Sequence, residues 1–138
     1  MGQGSRAGVF SNIFGGISDA IPDSVKTIDT YVYETKLYPD FIKCDVEGSE
    51  LKVFKGGKNT IEKYKPIVFC EILRKWCKEF AYKPNDIIHL FKNFGYECFI
   101  GRKNKLKNIK YINEYTEETN FFFLHKTKHK NIIYENLI

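Results

Sequence analysis

Two hydrophobic periods alternate along the chain. Phe41–Val46 reads as a strand that ends abruptly at Glu47-Gly48. Ser49 is placed as the N-cap of a helix carrying Leu51, Val53 and Phe54 on its apolar side, with Glu50 in the first turn. Gly56-Gly57 interrupts that helix, and Thr60–Tyr64 resumes it. Pro66–Glu71 is a second strand, with a continuous apolar run from Ile67 to Cys70. The clearest helix follows, with Asn85 as its cap. Ile87, Ile88, Leu90, Phe91 and Phe94 form its apolar face, and Gly95 stops it. Tyr96–Ile100 and Asn120–Lys126 complete the strands. Upstream, Val25–Ile28 is a short strand candidate, and Asp29 is placed to cap a short helix through Tyr33.

The remaining segments carry weaker patterns. Residues 1–24 are an irregular N-terminal segment, Lys75–Tyr82 is ambiguous, and Gly101–Lys110 reads as a polar, basic loop. The tail, 127–138, is loosely ordered until Ile132-Ile133 on this reading. Strands alternating with helices make residues 25–126 an α/β domain with a mostly parallel sheet.

Composition narrows the function. The chain has 138 residues, enough for one domain, and 43% are hydrophobic. No apolar run approaches the roughly 20 residues of a membrane span, and Ser11, Asn12, Gly15 and Gly16 break up any signal-peptide core. Net charge is +5, but only Arg6, Arg74 and Arg102 are arginine. Arg102–Lys110 contains no aromatic residue, so it lacks a stacking platform for nucleic acid. Cys44, Cys70, Cys77 and Cys98 form no C-x-x-C pair and read as buried thiols in a reducing, cytoplasmic setting.

Candidate chemistry gathers at one sheet edge. Asp45, Glu47 and Glu50 follow the first long strand, and Glu71 ends the next one. Ligands of open α/β sheets sit outside the carboxyl ends of the strands, and acids are costly there without partners. Such a cluster can accept backbone hydrogen bonds, serve as acid or base, or hold a hard cation, with Asp45 the candidate ligand. Gly48 lets the backbone turn sharply into the helix. His89 falls on the polar side of its helix. His125 and His129 lie in the last strand and the tail, and Trp76 with Cys77 reads as packing.

Ile42-Lys43-Cys44-Asp45-Val46-Glu47-Gly48-Ser49-Glu50, then Leu51 to Gly56, then Lys65-Pro66-Ile67-Val68-Phe69-Cys70-Glu71 resemble the FkbM-type family of S-adenosylmethionine-dependent methyltransferases. Thr27-Ile28-Asp29 and Gly95-Tyr96 are similar to the flanking elements of that family. The resemblance implies a partial class I methyltransferase (Rossmann-like) sheet, strands four to seven with flanking helices, the last strand antiparallel. It implies S-adenosylmethionine as cofactor and methyl transfer, to oxygen above all, on a small-molecule or glycan-like acceptor. Asp45 and Glu47 then become the catalytic candidates, and Gly48, Glu50 and Glu71 the pocket candidates. The family's glycine-rich cofactor loop has no counterpart in this sequence. The chain therefore reads as the C-terminal half of a domain: a gene fragment or mis-called start, a degenerate copy, or half of a split enzyme. The alternative is a non-catalytic remnant or interaction module. With strand one missing, Phe41–Val46 becomes an apolar edge open to self-association or to a complementing chain. Ala7–Ile21 is the internal segment available to cover it.

Overall fold

A computed structural model describes residues 25–138. The elements are α1 (Ile28–Thr35), β1 (Phe41–Cys44), α2 (Glu50–Lys55), α3 (Lys58–Tyr64), β2 (Ile67–Glu71), α4 (Arg74–Glu79), α5 (Pro84–Asn93), β3 (Tyr96–Arg102), β4 (Lys105–Ile109), β5 (Asn120–His125) and α6 (Lys130–Asn136). They build an α/β fold around a five-stranded sheet of order β1-β2-β5-β3-β4. The sheet is mixed rather than mostly parallel. β1 and β2 pair in parallel, whereas β5 runs antiparallel to both β2 and β3, and β4 antiparallel to β3. Residues 1–24, including the Ala7–Ile21 segment, lie outside the described residues.

One sheet face carries the main core. Ile42, Cys44, Val68, Cys70, Phe121, Phe123, Tyr96 and Cys98 alternate inward and meet Ile28, Val53, Phe54, Ile61, Ile87 and Phe91 from the helices. Phe91 is the hub, stacked on Phe123 at 4.3 Å and edge-on to Phe54 at 4.8 Å. The Tyr96 hydroxyl, buried in this layer, donates to the Pro66 carbonyl at 2.7 Å. On the other face, Phe99 and Leu124 are covered by Ile133 of α6. Phe41, Ile67, Phe69 and Phe122 on that face are only half-buried. All four cysteines are free and buried, as their apolar surroundings predict.

The structure corrects several local expectations. Val25–Ile28 is not a strand: the Thr27 hydroxyl accepts from Thr30 N at 3.1 Å and starts α1 at Ile28. Asp29 caps a different helix. Its carboxylate accepts from Asn59 N, Thr60 N and the Thr60 hydroxyl, closing the start of α3 where Gly57 has no side chain to offer. Asn85 does not cap α5 either. Pro84 opens that helix, Asp86 accepts from Lys83 N at 2.8 Å, and Asn85 instead pins Ile112 through both its N–H and its carbonyl. Ser49 makes no side-chain cap on α2. The ambiguous stretch after β2 contains α4.

Gly101–Lys110 is a hairpin rather than a loop. Lys103 and Asn104 both adopt positive φ, 48° and 61°, giving a two-residue turn whose twist suits antiparallel strands. Exposed Lys105 and Lys107 line the outer strand of the sheet, a common protection against edge pairing. The tail is likewise ordered. α6 docks Ile133 on the sheet, and Ile138 N donates to the Leu106 carbonyl at 2.9 Å. Two buried imidazoles hold its entry. His129 Nδ1 accepts from His125 N at 2.8 Å, and His125 Nδ1 accepts from Thr127 N and Lys128 N.

Candidate functional site

The strand-to-helix turn after β1 is built around Glu50. Glu47 and Gly48 both take positive φ, 50° and 113°, and the turn aims the Val46 and Gly48 N–H groups into one concavity. Glu50 fills it from the first turn of α2. Its Oε1 accepts from Gly48 N at 3.1 Å and Val46 N at 3.3 Å, and its Oε2 accepts from the Tyr82 hydroxyl at 3.0 Å. The same hydroxyl lies 3.0 Å from the Gly48 carbonyl. Glu50 is 2% exposed, so these donors replace water around a buried carboxylate. Glu50 is therefore the brace of the turn.

Gly48 is required twice over. Its φ of 113° is a glycine conformation, and an added Cβ would lie 2.7 Å from the Phe80 ring and 2.9 Å from Trp76 Cβ. Phe80 and Trp76 thus close the turn from behind, and Cys77 is buried beside them. Burial pushes the Tyr82 hydroxyl and the Cys77 thiol up from their ordinary values, which leaves both neutral hydrogen-bonding groups. Sequence reasoning missed Tyr82, because nothing local links it to a motif more than 30 residues upstream. The one available signal was a phenol in a polar stretch after an apolar Trp-Cys pair.

The remaining carboxylates face outward. Asp45 and Glu47 are exposed. The parallel register Cys44↔Cys70 sets Asp45 beside Glu71 at the carboxyl ends of β1 and β2. A hydrogen bond with the Asp45 carboxyl raises Glu71 above the ordinary glutamate range. Burial and the charges of Asp45, Glu50 and Glu47 add to the shift. A carboxyl whose range is raised keeps its proton to higher pH than an ordinary glutamate. The structure thus brings Asp45 and Glu71 together, leaves Glu47 exposed in the turn, and commits Glu50 and Gly48 to the turn's own architecture. Among the described residues no three His, Cys, Asp or Glu side chains are arranged to hold a metal ion.

His89 is exposed on α5, as its place on the polar side predicts, and Trp76 packs against the turn. His125 and His129 are buried at the α6 entry, at the end of β5 opposite Asn120, the residue that pairs with Glu71.

A family model, the methyltransferase FkbM domain, matches residues 2–98. The chain belongs to the FkbM methyltransferase family. The match spans the β1 turn, both parallel strands, and α5 through the first half of β3. No curated protein and no solved structure matches the chain. Among the described residues no helix is long and apolar enough to cross a membrane.

The described residues do not by themselves fit the cofactor that this family implies. The N–H concavity at Val46 and Gly48 is occupied by Glu50, and the space over Gly48 by Phe80. The other positive-φ glycine among the described residues, Gly95, directly precedes β3 and lies against His125.

Proposed function

We propose that the chain supplies the acceptor-side edge of an S-adenosylmethionine-dependent methyltransferase, acting on a hydroxyl of a small-molecule or glycan-like acceptor. The observation that carries this reading is the Asp45–Glu71 pair at the carboxyl ends of two adjacent parallel strands, within a family-matched segment. In that role S-adenosylmethionine would supply the methyl group and leave as S-adenosylhomocysteine, while one carboxylate of the pair would orient the acceptor hydroxyl and take its proton. Glu47 borders the acceptor and Glu50 fixes the turn. β1, β2, β3 and β5 correspond on this reading to strands four, five, six and seven of the class I sheet, and β4 is an added edge. Asp45 is the candidate should a hard cation assist.

The cofactor-binding elements come from outside the described residues. β1 pairs only with β2 among the described strands, so Phe41–Val46 is the edge where a second chain or another copy would complete the sheet. A second reading, a non-catalytic module of the same family, is favoured by the self-filled concavity at Glu50. Calorimetry with S-adenosylhomocysteine on the 138-residue chain separates the arrangements, and weak or no binding is expected of the chain alone. A methyl-transfer assay with labelled S-adenosylmethionine and a pool of hydroxylated acceptors then tests the pair. Transfer that survives Asp45→Asn unchanged contradicts the proposed role, and no transfer in any completed form favours the second reading.

A further inference from the structure

A groove runs behind the turn, on the helix layer rather than at the strand edge. The turn contributes Gly48 to it, α2 contributes Leu51, Lys52 and Lys55, and α5 contributes Asp86, His89, Leu90 and Asn93. The α5 residues follow the i, i+3, i+4, i+7 spacing of one helix face, and Leu51 and Lys55 stand four apart on α2, so two helical stripes form the two walls. The cavity volume is about 740 Å³, within the span of small-ligand sites. Seven residues of helical rise make it roughly 10 Å long.

Its two ends differ in chemistry. At the Gly48 end, the Phe80 ring is 50% exposed, yet held in place because its other edge rests on Gly48. Along the walls stand Lys52, Lys55 and His89, all exposed. Neither lysine has a carboxylate within salt-bridge distance among the described residues, where the ion pairs are Lys26–Glu34, Arg102–Glu118 and Lys110–Glu97. The one acid lining the groove, Asp86, accepts from Lys83 N in the first turn of α5. Half-buried Leu51 and Leu90 supply apolar wall between the ring and the cations.

We propose that this groove binds a small molecule of nucleotide size, with a flat ring against Phe80 and a phosphate at Lys52, Lys55 and His89. Its length and volume suit such a ligand better than an extended polymer. The site is separate from the Asp45–Glu71 edge and does not depend on the methyl-transfer reading. Its inner wall touches Gly48 and Tyr82, so an occupant would also bear on the turn that Glu50 braces.

Amide-resolved NMR titration of the full chain tests this. Uridine 5′-monophosphate is the probe, with uridine and inorganic phosphate as the ring-only and anion-only arms. Saturable shifts are expected at Gly48, Lys55, Phe80–Tyr82 and Asn93, weakening as salt is raised. Each half-probe should bind about tenfold or more weakly than the whole. Lys52→Ala/Lys55→Ala should weaken the nucleotide by about tenfold and leave uridine unaffected. Lys52→Gln/Lys55→Gln serves if the alanine pair fails to fold. Absence of shifts in the groove overturns the proposal, as does equal binding of inorganic phosphate and nucleotide, or undiminished binding by the lysine variants. An acidic peptide that produces the same shifts at far lower concentration would also overturn it, in favour of a protein partner.

Discussion

Glu50 and the Asp45–Glu71 pair lie within one turn of backbone and one strand spacing of each other, yet their environments are opposite. Glu50 is buried and receives two backbone N–H groups and a phenol. Asp45 and Glu71 stand at the open end of the sheet, with each other as the named partner. A carboxylate surrounded by donors has spent its hydrogen-bonding capacity on the fold. The exposed Asp45 and half-buried Glu71 have capacity left for a ligand. Within one acidic motif, burial and partner type therefore divide support from chemistry.

The largest expected effect comes from removing the support. Glu50→Ala strands the Val46 and Gly48 N–H groups, leaves the Tyr82 hydroxyl with the Gly48 carbonyl alone, and should cost about 3–4 kcal/mol in urea unfolding. Glu50→Gln, which keeps one acceptor, should cost roughly half of that. A loss near zero for Glu50→Ala would erase the contrast with Asp45. Next, Gly48→Ala meets both an unfavourable φ and the Phe80 ring, and should cost roughly 2–3 kcal/mol.

A third test sits away from the motif, at a group whose titration is shifted first by burial. His129 is buried beside Lys128 and His125, and its pKa is lowered to about 4, with desolvation the first cause. The unfolded chain therefore binds the proton more readily. The stability from neutral His129 is present above the ordinary histidine value and is lost as pH falls toward 4. Burial lowers His125 in the same direction. The urea midpoint should drop over this window by the equivalent of roughly 2 kcal/mol. In His129→Gln much of that pH dependence should vanish. The smallest effect is predicted for Asp45→Asn, within about 0.5 kcal/mol of wild type, because an exposed side chain at the strand edge supports little.

Much of the scaffold was legible in the sequence because apolar periodicity and glycine positions act locally. Ile87, Ile88 and Phe91 on one face announced α5, Gly56-Gly57 marked the α2–α3 break, and Gly95 its stop. What escaped depends on contacts between distant segments. Asp29 looked like the cap of its own helix but caps α3, and Asn85 holds Ile112. Lys105-Leu106-Lys107 alternates as a strand should, but its lysines disguised it as a loop, and α6 becomes stable only once Ile133 finds Phe99 and Leu124. The acidic motif was visible as a cluster. Its division into brace and pair was not, because it depends on Tyr82 and on the β1–β2 register.

The most direct test of that division is the side-chain carboxyl titration of Glu71, followed by carbon-detected NMR in wild type and in Asp45→Asn. Glu71 is expected to titrate above the ordinary glutamate range in wild type and to return toward it once the Asp45 carboxyl is gone. An ordinary value in wild type, or a raised value that survives Asp45→Asn, would contradict the pairing on which the candidate site rests.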